Sequence, residues 1–176
     1  GLADGGFVRV RTAYGACVLK VVISEGQRRG SLFVPIHWSD ETAASARIGE
    51  LVAPACDPFS GQPEAKATPA AVEPVAYRYR GFLLARERIA PLAGTWWSRV
   101  RLATGTGLLM ATDEPPSVWR ECGHSMFGAA EIADYMDEPR GICRVAAFVD
   151  GRLSGCLFIG PANAGPQWDT VKALFE

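Results

Sequence analysis

Residues 141–159, GICRVAAFVDGRLSGCLFI, carry the clearest structural signal in the chain. Two apolar, β-branched and aromatic runs, 141–149 and 152–159, flank Asp150-Gly151. Both central positions of a two-residue hairpin turn need positive φ, and Asp-Gly adopts that conformation at low cost. The stretch therefore predicts a β-hairpin.

Further elements follow from hydrophobic spacing along the rest of the chain. Strands are predicted over residues 7–12, 17–23, 31–36, 77–85 and 95–103. Helical spacing is found at Ala129, Ile132, Ala133 and Met136, and again at Trp168, Val171, Leu174 and Phe175. Asp40 is placed to cap a short helical turn over 43–51, and Gly105-Thr106-Gly107 predicts a plain turn. The chain is expected to be mainly β, with an α+β second part.

Two regions without regular spacing suggest how the chain is divided. Residues 37–66 include three prolines that exclude continuous helix or strand. Residues 67–74 are either a closing strand or the start of a linker. We place a boundary near Val75, between a β domain over residues 1–75 and a small α+β domain over residues 76–176.

The charge balance and the longest apolar stretch exclude two classes of partner. The chain has 18 Lys and Arg residues against 19 Asp and Glu residues, so it lacks the positive field that a phosphate backbone requires. Residues 154–168 are uncharged but contain two prolines, and they are shorter than the roughly 20 residues of a membrane-spanning helix. We expect neither nucleic acid nor a membrane as partner.

The cysteines and the first residues indicate the origin of the chain. Its five cysteines, at positions 17, 56, 122, 143 and 156, include no C-x-x-C pair. This fits buried thiols in a reducing cytoplasm better than a disulfide framework or a metal site. Residues 1–4 contain neither an initiator Met nor a signal-peptide pattern. We interpret the chain as a cytoplasmic fragment of a larger protein.

A search for catalytic motifs finds none. No segment has the spacing of a phosphate loop or of a dinucleotide fingerprint. Residues 123–128, GHSMFG, miss the G-x-S-x-G pattern of a hydrolase by one position. Neither His37 nor His124 has a second ligand at metal-binding spacing. We predict no catalytic residue and no metal ligand in this chain.

One long polar segment remains to be explained. It runs from His37-Trp38-Ser39-Asp40 through Arg47 to residues 57–66, DPFSGQPEAK. Such a segment can present backbone amides, Ser and Gln side chains and two cations, Arg47 and Lys66, to an anionic heterocyclic ligand. A structural Ω-loop explains the same composition.

The same segment carries a family resemblance. Residues 33–38, FVPIHW, followed by Ala46-Arg47 and then DPFSGQPEAK, resemble the C-terminal domain of molybdopterin oxidoreductases, most closely that of the cytoplasmic assimilatory nitrate reductases. Residues 4–10, DGGFVRV, and Tyr14-Gly15 match the strand pair that precedes this loop in the family. The second half resembles, more weakly, the segment that follows, and its hairpin also occurs in C-terminal domains of flavin-dependent reductases.

The resemblance implies a fold and a cofactor. The fold is a six-stranded double-psi β-barrel of the aspartate-decarboxylase-like type, here incomplete because its first strand or strands are missing. In the family this domain binds bis-molybdopterin guanine dinucleotide with its molybdenum. Carried over by position, the residues that would line or support the cofactor are His37, Trp38, Arg47, Gln62 and Lys66. The iron-sulfur centre and the molybdenum ligand of full-length relatives lie in earlier domains.

The resemblance also implies a parent enzyme. That enzyme reduces nitrate to nitrite by two-electron oxygen-atom transfer at molybdenum, and the isolated fragment is expected to be inactive. Its implied partners are the remaining domains of the enzyme and an electron donor such as ferredoxin, flavodoxin or an NADH-dependent subunit. The alternatives are formate dehydrogenase or another molybdopterin enzyme, and a non-catalytic β-rich interaction module that uses Trp96, Trp97 and Trp119.

Overall fold

Short apolar runs separated by turn residues form most of the regular structure, so the chain is mainly β, as predicted. The computed structural model describes residues 1–89, 93–128 and 130–175. The chain divides into two units, residues 1–76 and 77–176. Within the described residues, no helix has the length and apolar character needed to cross a membrane.

The first unit is built on a three-stranded antiparallel sheet with the order β2-β1-β3. Its strands are β1 Phe7–Arg11, β2 Ala16–Lys20 and β3 Ala71–Val75. Thr12 closes the β1–β2 turn, because its amide donates to the Gly15 carbonyl at 2.9 Å and its Oγ1 accepts from the Tyr14 amide at 3.1 Å. Strand β3 carries Pro74 opposite Val8, and an edge strand tolerates the missing N–H.

The core of the first unit is small. Val8, Val10 and Cys17 of the sheet pack with Ile48 and Leu51 of a short 3-10 helix, Ile48–Leu51. Three strands with one apolar face are close to the minimum for independent stability. The first unit therefore buries only a small apolar surface to stabilise its fold.

Two predictions for the first unit are wrong. Residues 31–36 form no strand, because no described strand lies beside them to share hydrogen bonds, and Phe33 is 78% exposed. Asp40 caps no helix. The 3-10 helix begins after Arg47, which makes no capping bond, and the Asp40 carboxylate pairs with the Arg47 guanidinium instead.

The second unit contains a six-stranded antiparallel sheet with the order β5-β6-β4-β9-β8-β7. Its strands are β4 Tyr79–Ala85, β5 Trp96–Val100, β6 Thr106–Thr112, β7 Glu131–Asp137, β8 Ile142–Val149 and β9 Arg152–Pro161. The predicted hairpin is confirmed as β8 and β9, with φ of 51° at Asp150 and 70° at Gly151. Of the plain turn predicted at residues 105–107, Gly105 lies in the bend between β5 and β6 with φ of 88°, whereas Thr106 and Gly107 already belong to β6.

Two helices pack on opposite faces of this sheet. They are α1 Pro116–Phe127 and α2 Trp168–Phe175. On one face Gly123 of α1 lies against Val145, whose cross-strand partner is Leu157. The neighbouring residue Cys156 points to the other face and packs in a cluster with Phe175 of α2. Both faces of the sheet are therefore buried at its centre.

The helix predicted between Ala129 and Met136 is wrong. Ala129 lies outside the described residues, and residues 131–137 form the edge strand β7, which pairs along its whole length with β8. The helix of this region comes earlier, at α1. It starts at Pro116, a residue suited to a first helical turn, and ends before Gly128, which has φ of 52°.

Three tryptophans of the second unit belong to its core. Trp96 and Trp97 are each 8% exposed and Trp119 is 2% exposed. The interaction module that was to use them as exposed contacts is therefore not supported by these residues.

Three of the five cysteines are buried free thiols, as predicted. They are Cys17, Cys143 and Cys156, whereas Cys56 is exposed and Cys122 is half-buried. Burial raises the pKa of the Cys143 thiol to about 11 and that of Cys156 to about 12. Both thiols stay protonated near neutral pH, and protonated thiols are poor nucleophiles.

The close approach of β4 to β9 at Gly81 can be tested by mutation. A Cβ at Gly81 would lie 2.0 Å from the Phe158 carbonyl oxygen and 2.6 Å from Cδ1 of Ile159. Because backbone cannot yield cheaply, we expect Gly81→Ala to lower the free energy of unfolding by at least about 1–3 kcal/mol, measured by urea denaturation. Gly165→Ala is the control, since its nearest contact of 3.4 Å is ordinary. Equal stability of the two variants would contradict this packing.

Candidate functional site

Residues 55–64, here named the Asp57 loop, close on themselves through backbone hydrogen bonds. The Glu64 amide donates to the Ala55 carbonyl at 2.8 Å, and the Asp57 amide donates to the Gln62 carbonyl at 2.9 Å. Gly61, with φ of 69°, provides the left-handed conformation in the turn. The loop is therefore an ordered structure rather than an open stretch of chain.

The Asp57 carboxylate organises the tip of this loop. Its Oδ1 accepts hydrogen bonds from the Ser60 amide at 2.7 Å, from Ser60 Oγ at 2.9 Å and from the Phe59 amide at 3.0 Å. The bonds from Ser60 and then from Phe59 hold the pKa of Asp57 below its ordinary value. These amides and the Ser60 hydroxyl are thus occupied within the loop, while the Phe59 ring at its tip is 97% exposed.

Arg47 is engaged in ion pairs with two acidic residues. Its Nε pairs with Asp40 Oδ2, and its Nη1 lies 3.6 Å from Glu50 Oε1. The Arg47 carbonyl also accepts from the Cys17 thiol at 3.5 Å, so its backbone is tied to the sheet. Of the five predicted cofactor residues, Arg47 is the one whose charge is already neutralised by neighbours.

Lys66 lies beside a shallow groove of about 120 Å³ in the first unit. The groove is lined mainly by apolar residues, including Leu32, Ile36 and Leu51. The Lys66 amide is fixed by Glu64 Oε1 at 2.9 Å, whereas its amino group makes no ion pair or hydrogen bond with a described residue. A cation thus stands next to an apolar surface, which suits an anionic ligand with a flat ring.

The other three predicted residues are exposed. His37 and Trp38 follow one another in the 36–38 turn region, and Gln62 lies in the Asp57 loop. Their side chains make no hydrogen bond to a described residue, so their donors are available to a ligand. None of the three lines the groove beside Lys66, and the structure does not bring all five residues into one pocket.

The first unit also exposes many large apolar side chains. They are Leu2, Tyr14, Val22, Ile23, Leu32, Phe33, Ile36, Trp38 and Phe59. Isolated exposed hydrophobic residues are normal, but these nine lie within one unit of 76 residues and together leave a large apolar area in contact with solvent.

A polar cluster in the second unit was missed by the sequence analysis. Asp134 Oδ2 on β7 accepts from Arg120 Nε at 2.5 Å and lies 2.6 Å from His124 Nε2, both on α1. The Arg120 and then the His124 hydrogen bonds hold the pKa of Asp134 below its ordinary value. Because a helix was predicted for residues 129–136, hydrophobic spacing alone did not place Asp134 opposite α1.

This cluster fastens α1 to the edge strand. Arg120 and His124 are one helical turn apart, so a single carboxylate can bind both. Within the described residues, no group of three or more His, Cys, Asp or Glu side chains is arranged to hold a metal ion.

Comparison with known proteins adds three findings. Residues 1–69 match the model of the family described as Molydopterin dinucleotide binding domain. The chain is 42% identical over 104 residues to a protein of Klebsiella oxytoca named Nitrate reductase, covering 59% of this chain and 12% of that protein. It is 34% identical over 55 residues to the Assimilatory nitrate reductase catalytic subunit of Bacillus subtilis (strain 168), covering 31% of this chain and 8% of that protein.

One of these matches extends beyond the first unit. The alignment with the Klebsiella protein is longer than residues 1–76, so it includes part of the second unit as well. The chain spans only a small fraction of the length of either relative. No solved structure matches the chain significantly. The resemblance first indicated by the His-Trp and D-P-x-S-x-Q-P-E-x-K motifs is confirmed.

The role of Asp57 can be tested through its titration. A carboxyl group with a lowered pKa contributes stability above its unfolded pKa, and that contribution is lost as the pH falls through the folded pKa. We expect the NMR signal of the Ser60 amide proton to move with a midpoint below 3.8, the ordinary value.

Two variants complete this test. Asp57→Asn keeps an acceptor but should abolish the titration of the Ser60 amide. Asp57→Ala should expose the Phe59 and Ser60 amides to faster hydrogen exchange at neutral pH. A Ser60 midpoint at or above the ordinary value would show that the carboxylate does not organise the loop.

Proposed function

We propose a function for this chain as the C-terminal region of a molybdopterin oxidoreductase: it helps to hold the cofactor of a molybdenum-dependent nitrate reductase and supplies no metal ligand. The observation that carries the proposal is the domain match over residues 1–69, together with relatives named as nitrate reductases. In this proposal the first unit is the remaining part of a double-psi β-barrel, and the second unit is the small α+β domain that follows it.

The residues of the first unit fit such a cofactor in part. Lys66, Gln62, His37 and Trp38 all present side-chain N–H groups at the surface without a described internal partner. A molybdopterin guanine dinucleotide carries phosphates and a pterin ring, which such donors can bind through charge-assisted and neutral hydrogen bonds. Lys66 would hold a phosphate oxygen, while the neutral donors would meet ring or ribose oxygens.

Arg47 has a different role in this proposal. Because Asp40 and Glu50 neutralise its guanidinium, it would support the cofactor-facing segment by fixing residues 40–50, rather than by binding phosphate itself. The ordered Asp57 loop would likewise hold Gln62 and the nearby Lys66 in position. A site whose loops are ordered before binding loses less conformational entropy when the ligand arrives.

The cofactor and the protein would contribute different parts of nitrate reduction. Reduction of nitrate to nitrite removes one oxygen atom and consumes two electrons and two protons, with water as the second product. When bound, the molybdenum cofactor would supply this redox chemistry, and the protein supplies binding, orientation and electrostatics. The isolated chain would contribute only to binding of the cofactor, so it should be inactive towards nitrate.

The exposed apolar surface of the first unit supports the proposal that this chain is part of a larger enzyme. In the proposal the preceding domains of the parent enzyme cover the large exposed hydrophobic residues of the first unit, Phe59 and Phe33 among them. Those domains would also carry the iron-sulfur cluster, which receives electrons from a donor such as ferredoxin, flavodoxin or an NADH-dependent subunit. The parent enzyme would function in the cytoplasm.

The cofactor assignment can be tested with Lys66. In the longer parent polypeptide, produced in a host that makes the guanine dinucleotide cofactor, we expect about one molybdenum per chain by elemental mass spectrometry. Lys66→Ala should reduce that content several-fold after gel filtration, because a hydrogen bond to a charged group contributes about 1.5–3 kcal/mol. In the 176-residue chain the same change should alter the free energy of unfolding by less than about 0.5 kcal/mol, since Lys66 is exposed.

Lys20→Ala is the matched control, because Lys20 is an exposed lysine on β2 of the same unit and does not line the Lys66 groove. It should retain the wild-type molybdenum content. Equal molybdenum in the Lys66→Ala and Lys20→Ala proteins would remove Lys66 from the site. Absence of molybdenum from folded wild-type protein would overturn the enzyme assignment and favour the interaction module.

The substrate is tested separately with the molybdenum-loaded parent enzyme. We expect reduced viologen to be oxidised on addition of nitrate, with one nitrite formed for every two electrons consumed. Formate with an oxidised dye should give no turnover. The opposite pattern would assign the chain to a formate dehydrogenase and leave the cofactor proposal intact.

A further inference from the structure

A cleft of about 860 Å³ lies in the second unit, away from the residues discussed so far. It is formed where the end of β4, the last residues of α1 and the β8–β9 turn come together. Its volume is within the range of about 300–1,000 Å³ that is common for small-molecule sites. The match to the dinucleotide-binding domain ends at residue 69, so it includes none of the residues that line this cleft.

The charged lining of the cleft is mostly positive. Among the described residues that line it, Arg86, Arg88 and Arg152 stand against a single acidic residue, Glu87. A ligand with about two negative charges would balance this lining.

One of these arginines has a structural role. Arg86 donates from Nη2 to the Phe175 carbonyl at 2.6 Å and from Nη1 to Thr104 Oγ1 at 2.9 Å. Its guanidinium also lies 4.5 Å from the centre of the Phe175 ring. Arg86 therefore connects β4 to α2 and is not available to bind a ligand with its full set of donors.

The other two arginines are available. Arg88 and Arg152 are exposed, and within the described part of the chain neither side chain makes an ion pair or a hydrogen bond. A guanidinium presents a planar fork of donors that matches two oxygens of a phosphate or carboxylate. Two such forks on one cleft favour an oxyanion over a neutral ligand.

The remaining wall of the cleft is apolar and partly aromatic. Phe127 packs directly on the β9 backbone, because a Cβ at Gly155 would come within 2.4 Å of its ring. Met126, Val149 and Leu153 extend this surface. A fixed aromatic ring beside a polarisable thioether suits a flat aromatic group, which gains both stacking and sulfur–aromatic contacts.

We propose that this cleft binds a nucleoside monophosphate, with its base against Phe127 and Met126 and its phosphate held by Arg88 and Arg152. A phosphate monoester carries close to two negative charges near neutral pH, which matches the excess positive charge of the lining. The two chemical requirements of the cleft, a flat aromatic body and a compact dianion, are combined in this class of ligand.

Isothermal titration calorimetry of the 176-residue chain tests the proposal with three probes: AMP, adenosine and inorganic phosphate. We expect saturable binding of AMP, and at least ten-fold weaker binding of adenosine and of phosphate, since each lacks half of the recognised structure. No saturable binding of AMP would overturn the proposal. So would equal affinity for AMP and adenosine, or for AMP and phosphate.

Mutations then locate the site. Arg88→Ala and Arg152→Ala should each weaken AMP binding at least five-fold while leaving the circular dichroism spectrum and the unfolding midpoint close to wild type. Arg140→Ala is the matched control, because Arg140 is an exposed arginine that pairs with Asp137 outside the cleft. AMP binding that survives both cleft substitutions, or that falls equally with Arg140→Ala, would show that the arginines of the cleft do not hold the phosphate.

Discussion

The register of the β8–β9 hairpin is the constraint on which the second unit depends. The Asp150-Gly151 turn pairs Phe148 with Leu153, and a register shift between Phe148 and Ala147 then aligns Val145 with Leu157, which in turn aligns with Leu83 on β4. One face of β8 and β9 is thereby apolar and receives α1, while the alternate residues of β9, together with β4, receive α2. A shift of one residue would exchange the two faces, so the turn and the register shift beside it together determine where both helices can pack. The cleft at the end of the hairpin is formed by the ends of β4 and α1 and by the β8–β9 turn.

The first unit is held together in a different way. Its buried cluster is small, and much of its chain is shaped by local polar contacts such as those of Asp57 and of Arg47 with Asp40. Local contacts order a loop without burying much surface, which leaves large apolar side chains such as Phe33 and Phe59 in solvent. A domain with this balance is suited to joining a larger assembly, where the exposed residues find their packing partners.

Sequence patterns predicted the elements whose own residues determine them. Strands β1, β2, β4 and β5 and the β8–β9 hairpin follow from alternation and from a turn that needs positive φ, and α2 follows from helical spacing. The strand predicted at 31–36 and the helix predicted at 129–136 are wrong because a short apolar run does not determine its own secondary structure. Whether such a run becomes a strand depends on whether another strand lies beside it to share hydrogen bonds. Edge strand β7 exists because β8 lies beside it, and β8 is paired with residues that come later in the chain.

The sequence by itself determined the mainly β character, the hairpin and the motifs that relate residues 1–69 to the dinucleotide-binding family, because these depend on residue type and short spacing. Only the tertiary structure decided which groups remain free to bind. In the folded chain Asp40 and Glu50 neutralise Arg47, and the Asp57 carboxylate accepts from the amides of Phe59 and Ser60. Asp134 pairs with Arg120 and His124. The Asp134 cluster depends on the pairing of β7 with β8 and on the packing of α1, which join residues that are separated along the chain. The contacts of Arg47 and Asp57 are local, but they depend on loop conformations that residue type and spacing do not determine.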